Sequence, residues 1–135
     1  MSHVAIVNVK IKNLDILEKT LQDMGLELRR GVKTFKAYSV NSCDHAIRMP
    51  NVDTYEIGVI KDKKEDHYNL GYDDYGKGRH IMEAVGKGCT KLIDEYSKNV
   101  AIAAAETYAS NKGYTTTTET NNDGETVITL RKYTA

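Results

Sequence analysis

Between residues 26 and 75 the chain passes through five short β-favouring segments with no helical stretch among them. They are LELR (26–29), TFKAYSV (34–40), HAIRM (45–49), YEIGVI (55–60) and HYNLGY (67–72), separated by polar turns, one of which holds the only proline, Pro50. Strands joined by short turns pair antiparallel, because a parallel pair needs a crossover of about a dozen residues or more. This run therefore argues against a doubly wound parallel sheet and for strands and helices kept apart along the chain.

The helical patterns lie outside that run. VAIVNVKI (4–11) comes first and alternates, with Ala5, Val7, Val9 and Ile11 on one side and Val4 and Ile6 on the other, as in a strand buried on one face and partly on the second. Asn13 then offers a helix N-cap, Leu14, Leu17, Leu21 and Met24 recur at three- and four-residue intervals, and Gly25 supplies a left-handed stop. After the strand run, Met82, Val85, Cys89, Leu92, Ile93, Tyr96, Val100 and Ala103 trace one stripe from Arg79 to Lys112. Gly86 and Gly88 interrupt it, each costing about 1 kcal/mol in a helix interior, so the spacing predicts a kink or a short first helix. Gly113 ends the stripe, and YTTTTET and ETVITLRKY flank a turn at NNDG (121–124), a strong hairpin signal. The order β-α-β-β-β-β-β-α-β-β predicts an α+β fold in a single domain, 1–135: a mainly antiparallel sheet covered on one face by two main helices.

Composition narrows the function classes. Nineteen basic and nineteen acidic side chains cancel, so no net field draws in a polyanion and nucleic acid is not the expected partner. No stretch approaches about 18 uninterrupted apolar residues, so no membrane span is expected. Cys43 and Cys89 are too few for a disulfide framework, and the opening MSHVAIVNVKIK does not read as a signal peptide; a cytoplasmic protein with reduced thiols is the expectation. Nine of the ten aromatic FWY residues are Tyr, a residue suited to half-wet packing and to stacking.

Several segments together resemble the domain of unknown function 1257, a family that includes a hypothetical chloroplast reading frame of algae and many cyanobacterial proteins. The matching stretches are the opening MSH strand, KNLDILEKTLQDMGLE (12–27), YEIGV (55–59), DEYSKNVAIAAAETYASNKGY (94–114) and DGETVITLRKY (123–133). Members are richer in Trp where this chain has Tyr72, Tyr75 and Tyr133, and a His common in their long helix is absent from Tyr96-Ser97-Lys98-Asn99. The resemblance implies a small α+β fold and transfers no catalytic residue. Some members of that family sit near AAA-type ATPases in genomes, so the resemblance points to a protein partner of that kind.

Residues 71–78, GYDDYGKG, have the spacing of a phosphate-cradling loop. A true loop of that type follows its Lys with Ser or Thr to ligate magnesium; here Gly78 follows Lys77, and Asp73 and Asp74 would repel phosphate. A weaker anion site remains: GKGRH leads into the long helix, whose first amides favour anions. Lys77, Arg79 and His80 add donors there, Gly76 and Gly78 allow close backbone approach, and Tyr72 and Tyr75 offer stacking faces. The repeat of GKG at 86–88 reads as coincidence, since ten residues do not return to one helical face. Arg29, Arg30, Lys33 and Lys36 form a basic cluster that Arg48 joins if its strand pairs with 34–40. KDKKED (61–66) reads as a solvated hairpin tip.

Catalytic and metal readings are weak. His3, His45, His67 and His80 are dispersed, and Cys43-x-His45 is the only close pair, short of a zinc set. Cys89 lies on the apolar stripe, where a thiol is inert. The expectation is a non-catalytic binding protein that uses no cofactor and holds a small anionic, nucleotide-like ligand at residues 72–80. The alternative is an interaction module that docks on a protein partner through a sheet edge or its tyrosines. A long Ala-rich helix and exposed strands permit a homo-oligomer without requiring one.

Overall fold

A computed structural model describes residues 4–132; the opening MSH with His3, and Tyr133, lie outside the described residues. The chain is α+β. β1 (Ala5–Ile11), β2 (Glu27–Arg30), β5 (His45–Arg48), β6 (Ile57–Lys61) and β7 (Tyr68–Tyr72) form one five-stranded sheet in the order β1-β7-β6-β5-β2, with every neighbouring pair antiparallel. α1 (Leu14–Asp23) carries the chain from one edge strand to the other. Its start is set by Asn13, whose side chain accepts the Ile16 N–H at 3.0 Å. Gly25 follows its end with φ +77°, the left-handed turn that glycine adopts without strain.

The two faces of this sheet are built differently. On one, Ile47, Ile57, Val59 and Leu70 are wholly buried, as are Leu17 and Leu21 of α1 and Val85 of α2 (Gly78–Val85). Burying a side chain of this size contributes on the order of 1.5–3 kcal/mol, so this layer supplies most of the hydrophobic drive. On the other face, cross-strand neighbours Gly71, Gly58 and Ala46 leave a shallow floor. Phe35 fills it. A Cβ at Gly58 would stand 2.5 Å from two Phe35 ring carbons, so only glycine admits the ring.

Phe35 reaches that floor because TFKAYSV is not the single strand expected over 34–40. The chain reverses there: β3 (Thr34–Lys36) pairs with β4 (Val40–Ser42), and the Ala37 N–H donates to Ser39 O at 3.1 Å across the turn. The reversal lets Phe35, Ala37 and Cys43 bury against Ala46, with Val32, Tyr55 and Ile60 packed around them. The hairpin thus covers the face that the helices leave open.

The stripe from Arg79 to Lys112 divides as its glycines predict. α2 ends at Gly86 (φ +81°), a 3-10 turn spans Lys87–Cys89, and α3 (Thr90–Lys112) follows. Gly88 and Cys89 also have positive φ, +66° and +64°. Contacts divide the chain into two compact units, one running through Ile93 and the other starting at Asp94, within α3. In the second unit β8 (Tyr114–Thr120) and β9 (Thr126–Lys132) form a two-stranded ribbon. Its turn is organised by Asn121, whose side-chain oxygen accepts the Asp123 and Glu125 amides at 3.0 and 2.9 Å. Tyr108 and Tyr114 stack with ring centres 6.5 Å apart. Among the described residues no helix is long and apolar enough to cross a membrane.

Candidate functional site

The loop between β7 and α2 folds inward on itself. Asp73 is 1% exposed; one carboxylate oxygen accepts the Tyr75 N–H at 3.0 Å and the other has no partner among the described residues. A Cβ at Gly78 would stand 1.8 Å from Asp73 O, so the glycine permits the chain to close on itself. The Gly78 N–H donates to Tyr75 O at 2.9 Å and the Arg79 N–H to Gly76 O at 3.2 Å. Those two amides at the start of α2 are therefore engaged by the loop.

The expected residues separate into two groups. Arg79 lines a cavity of about 450 Å³ together with Asp74, Glu83 and the second glycine–lysine–glycine, Gly86-Lys87-Gly88. Tyr72 turns the same way: its hydroxyl lies 3.6 Å from where a Cβ on Gly88 would be, and burial pushes its pKa up. The second motif is thus more than an echo of the first. Its glycines form the helix break, and Lys87 stands on the same cavity as Arg79, where Asp74 and Glu83 balance the two cations. His80 is exposed.

Lys77 goes elsewhere. Its ammonium meets Asp53 Oδ2 at 2.6 Å, while Lys36 of β3 meets the other oxygen of the same carboxylate at 3.0 Å. Thr54 fastens the loop beside them by donating its hydroxyl hydrogen to Lys77 O. Asp53 borders a cleft of about 440 Å³ that Arg29, Lys36, Arg48 and Glu56 also line. Arg29 pairs with Glu56 at 2.6 Å and Arg48 with Glu27 at 3.0 Å. Four cations thus share three carboxylates. The hydrogen bonds from Lys77 and then Lys36 hold the Asp53 carboxyl down at about 2. Tyr75, 60% exposed, lies two residues before Lys77.

Arg48 joins the basic cluster by a route other than the expected one. Its strand pairs with β2 and β6, not with residues 34–40, and it reaches the cleft as a neighbour of β2. Asp53 escaped sequence reasoning. It stands 17 residues from Lys36 and 24 from Lys77, and no local pattern marks a carboxylate that unites them.

Nucleophilic and metal chemistry find little support in the geometry. Burial pushes the Cys43 thiol up to about 11 and the Cys89 thiol up to about 12, so both are neutral near pH 7. Cys43 donates to Val32 O at 3.4 Å, and His45 Nδ1 accepts the Gly31 N–H at 3.0 Å, so this close pair is occupied with backbone. Among the described residues no group of three or more His, Cys, Asp or Glu side chains could hold a metal ion. No family model, curated protein or solved structure matches the chain.

Proposed function

We propose that the protein binds a small anionic ligand of nucleotide type, without transforming it, at the cleft around Asp53. One observation carries this reading: Lys36 and Lys77, from separate elements, converge on one exposed carboxylate beside Arg29 and Arg48. The ion-pair network has one cation in excess, and its central contacts are weakly held. Asp53 is 67% exposed and both lysines 53%, and solvent-screened pairs of this kind add little to stability. A phosphate can take over both ammonium groups at small cost, with Asp53 standing in its place until then. Tyr75 offers a face for the ligand's ring, and stacking a base is worth about 1–3 kcal/mol. Arg79 belongs to the neighbouring cavity and is not part of this cleft.

Titration calorimetry with a nucleoside triphosphate and with inorganic phosphate tests the reading. Wild-type protein should bind the triphosphate more tightly than phosphate and lose affinity as salt rises. Lys36→Glu with Lys77→Glu should weaken binding at least tenfold, whereas Arg79→Glu should leave it within about twofold. Triphosphate binding indifferent to the double substitution would show the cleft to be the wrong site.

A second reading, docking on a protein partner such as the ATPase that the family resemblance implies, draws on the exposure of Tyr38 and Val40, 67% and 73%, in the β3–β4 hairpin. Native mass spectrometry of the protein taken from its own host separates the two. A retained small anion supports the first, and a co-purifying polypeptide lost on Tyr38→Ser with Val40→Ser supports the second.

A further inference from the structure

The cavity beside α2 shares no lining residue with the Asp53 cleft. Glycines shape both of its ends. At one end the β7–α2 loop closes where Gly78 lies against Asp73 O, and the residues that follow these two, Asp74 and Arg79, border the space. At the other end α2 breaks at Gly86, where a Cβ would stand 2.8 Å from Lys91 N, and Gly88 turns left-handed at φ +66°. Arg79, Met82, Glu83 and Gly86 recur at helical spacing, so one face of α2 forms the wall between the ends. Met82, 8% exposed, and the two bare glycines give that wall an apolar floor. At about 450 Å³ the cavity has the size of a small-molecule site.

Charge of both signs stands around this floor. Asp74 and Glu83 face the cavity with Arg79 and Lys87, and the four sum to zero. Among the described residues none of them makes an ion pair. Arg79 and Glu83 are one helical turn apart, but with the cation first, the weaker order for such a pair. A ligand of one sign, such as phosphate or a polyamine, meets as much repulsion here as attraction. A ligand that carries both signs on neighbouring atoms can satisfy one charge of each kind at once.

We infer that this cavity binds a free α-amino acid with an apolar side chain. Arg79 donates to the carboxylate of the amino acid, and its ammonium donates to Asp74. These two residues start from one loop closure, carry opposite charge and are not bonded to each other. The ligand's side chain then lies along α2 on Met82 and the bare backbone of Gly86 and Gly88. Glu83 and Lys87 stand further along α2 and cancel, so a charged side chain loses to one what it gains from the other. A peptide terminus brings only one of the two charges and leaves Arg79 or Asp74 unanswered.

The probe is L-leucine, titrated into isotope-labelled full-length protein and followed by amide chemical shifts. Shifts should gather at Asp74, Arg79 and residues 82–88 and saturate by about 10 mM leucine. Isocaproic acid, which lacks the ammonium, and leucine amide, which lacks the carboxylate, should each bind roughly tenfold more weakly or worse, for want of one charge-assisted contact. Arg79→Gln and Asp74→Asn should each cost leucine a similar factor with an unchanged melting temperature, since neither side chain holds the fold. Glu83→Gln with Lys87→Gln should stay within about twofold, because the pair removed is neutral. Lys36→Glu with Lys77→Glu should leave leucine binding as it is, which separates this site from the Asp53 cleft. No saturable shift at about 50 mM leucine overturns the inference. Equal binding of either one-charge analogue overturns it too, as does leucine binding indifferent to Arg79→Gln and Asp74→Asn.

Discussion

Asp53 and Asp62 carry the same electrostatic signature and do opposite things. Both carboxyls are held at about 2. At Asp53 the cause is two lysine side chains, Lys77 first and Lys36 second, reaching in from different elements. At Asp62 it is the backbone amides of Glu65 and Lys64, followed by the Asn69 side chain. An amide is fixed by the chain that carries it, whereas an ammonium on a four-carbon stem can exchange one anion for another. A depressed carboxyl pKa therefore marks a replaceable counter-ion in the first case and a turn-builder in the second.

Thermal stability should separate the two most. Asp62→Ala removes the acceptor for two amides and leaves Asn69, already short of one partner, without either, so the melting midpoint should fall by about 5–10 °C. Asp53→Ala should move it by less than about 2 °C. Equal losses in circular-dichroism melts would erase the distinction.

Ligand affinity should reverse the ranking. Asp53→Asn removes the charge that competes for Lys36 and Lys77, so triphosphate affinity should rise about three- to tenfold by calorimetry. Asp62→Asn should leave it unchanged. A fall in affinity on Asp53→Asn would mean that the carboxylate helps to bind rather than holds the place.

Acid sharpens the comparison further. A carboxyl with a lowered folded-state pKa stabilises the fold above its ordinary value, near 3.8, and that contribution is lost as pH falls toward about 2. Between pH 4 and 2 the wild type should lose stability, and Asp62→Asn should flatten that loss more than Asp53→Asn does, read from urea midpoints at each pH. The smallest effect is expected for Lys36→Ala, which should change unfolding free energy by no more than about 0.5 kcal/mol. A larger change would give the Asp53 network the structural role assigned here to Asp62.

Asp62 also shows where sequence reading stops. KDKKED looks like a charged tip in solvent, and for Lys63, Lys64, Glu65 and Asp66 it is exposed. The part that matters is which charge turns inward, and that follows from Asn69 standing opposite Ile60 in the register of β6 and β7. The strand–helix opening, the Asn13 cap, the glycine break at 86–88 and the Asp-Gly hairpin were legible because each is written within a few consecutive residues. The β3–β4 reversal was not. TFKAYSV has the composition of one strand, and what folds it back is a glycine floor on strands that follow it in the chain.

The sequence alone determined the segregation of strands from helices, hence an antiparallel α+β fold, because period, caps and turn residues act over one or two turns of chain. It also placed cations near residues 29–36 and 77–79. Tertiary structure decided which of them meet: Lys77 went to Asp53 and Lys36, and Arg79 to the cavity it shares with Lys87. Electrostatic partners are chosen by distance in space, and Lys36 and Lys77, 17 and 24 positions from Asp53 in the chain, meet it only through the fold, which no local pattern announces.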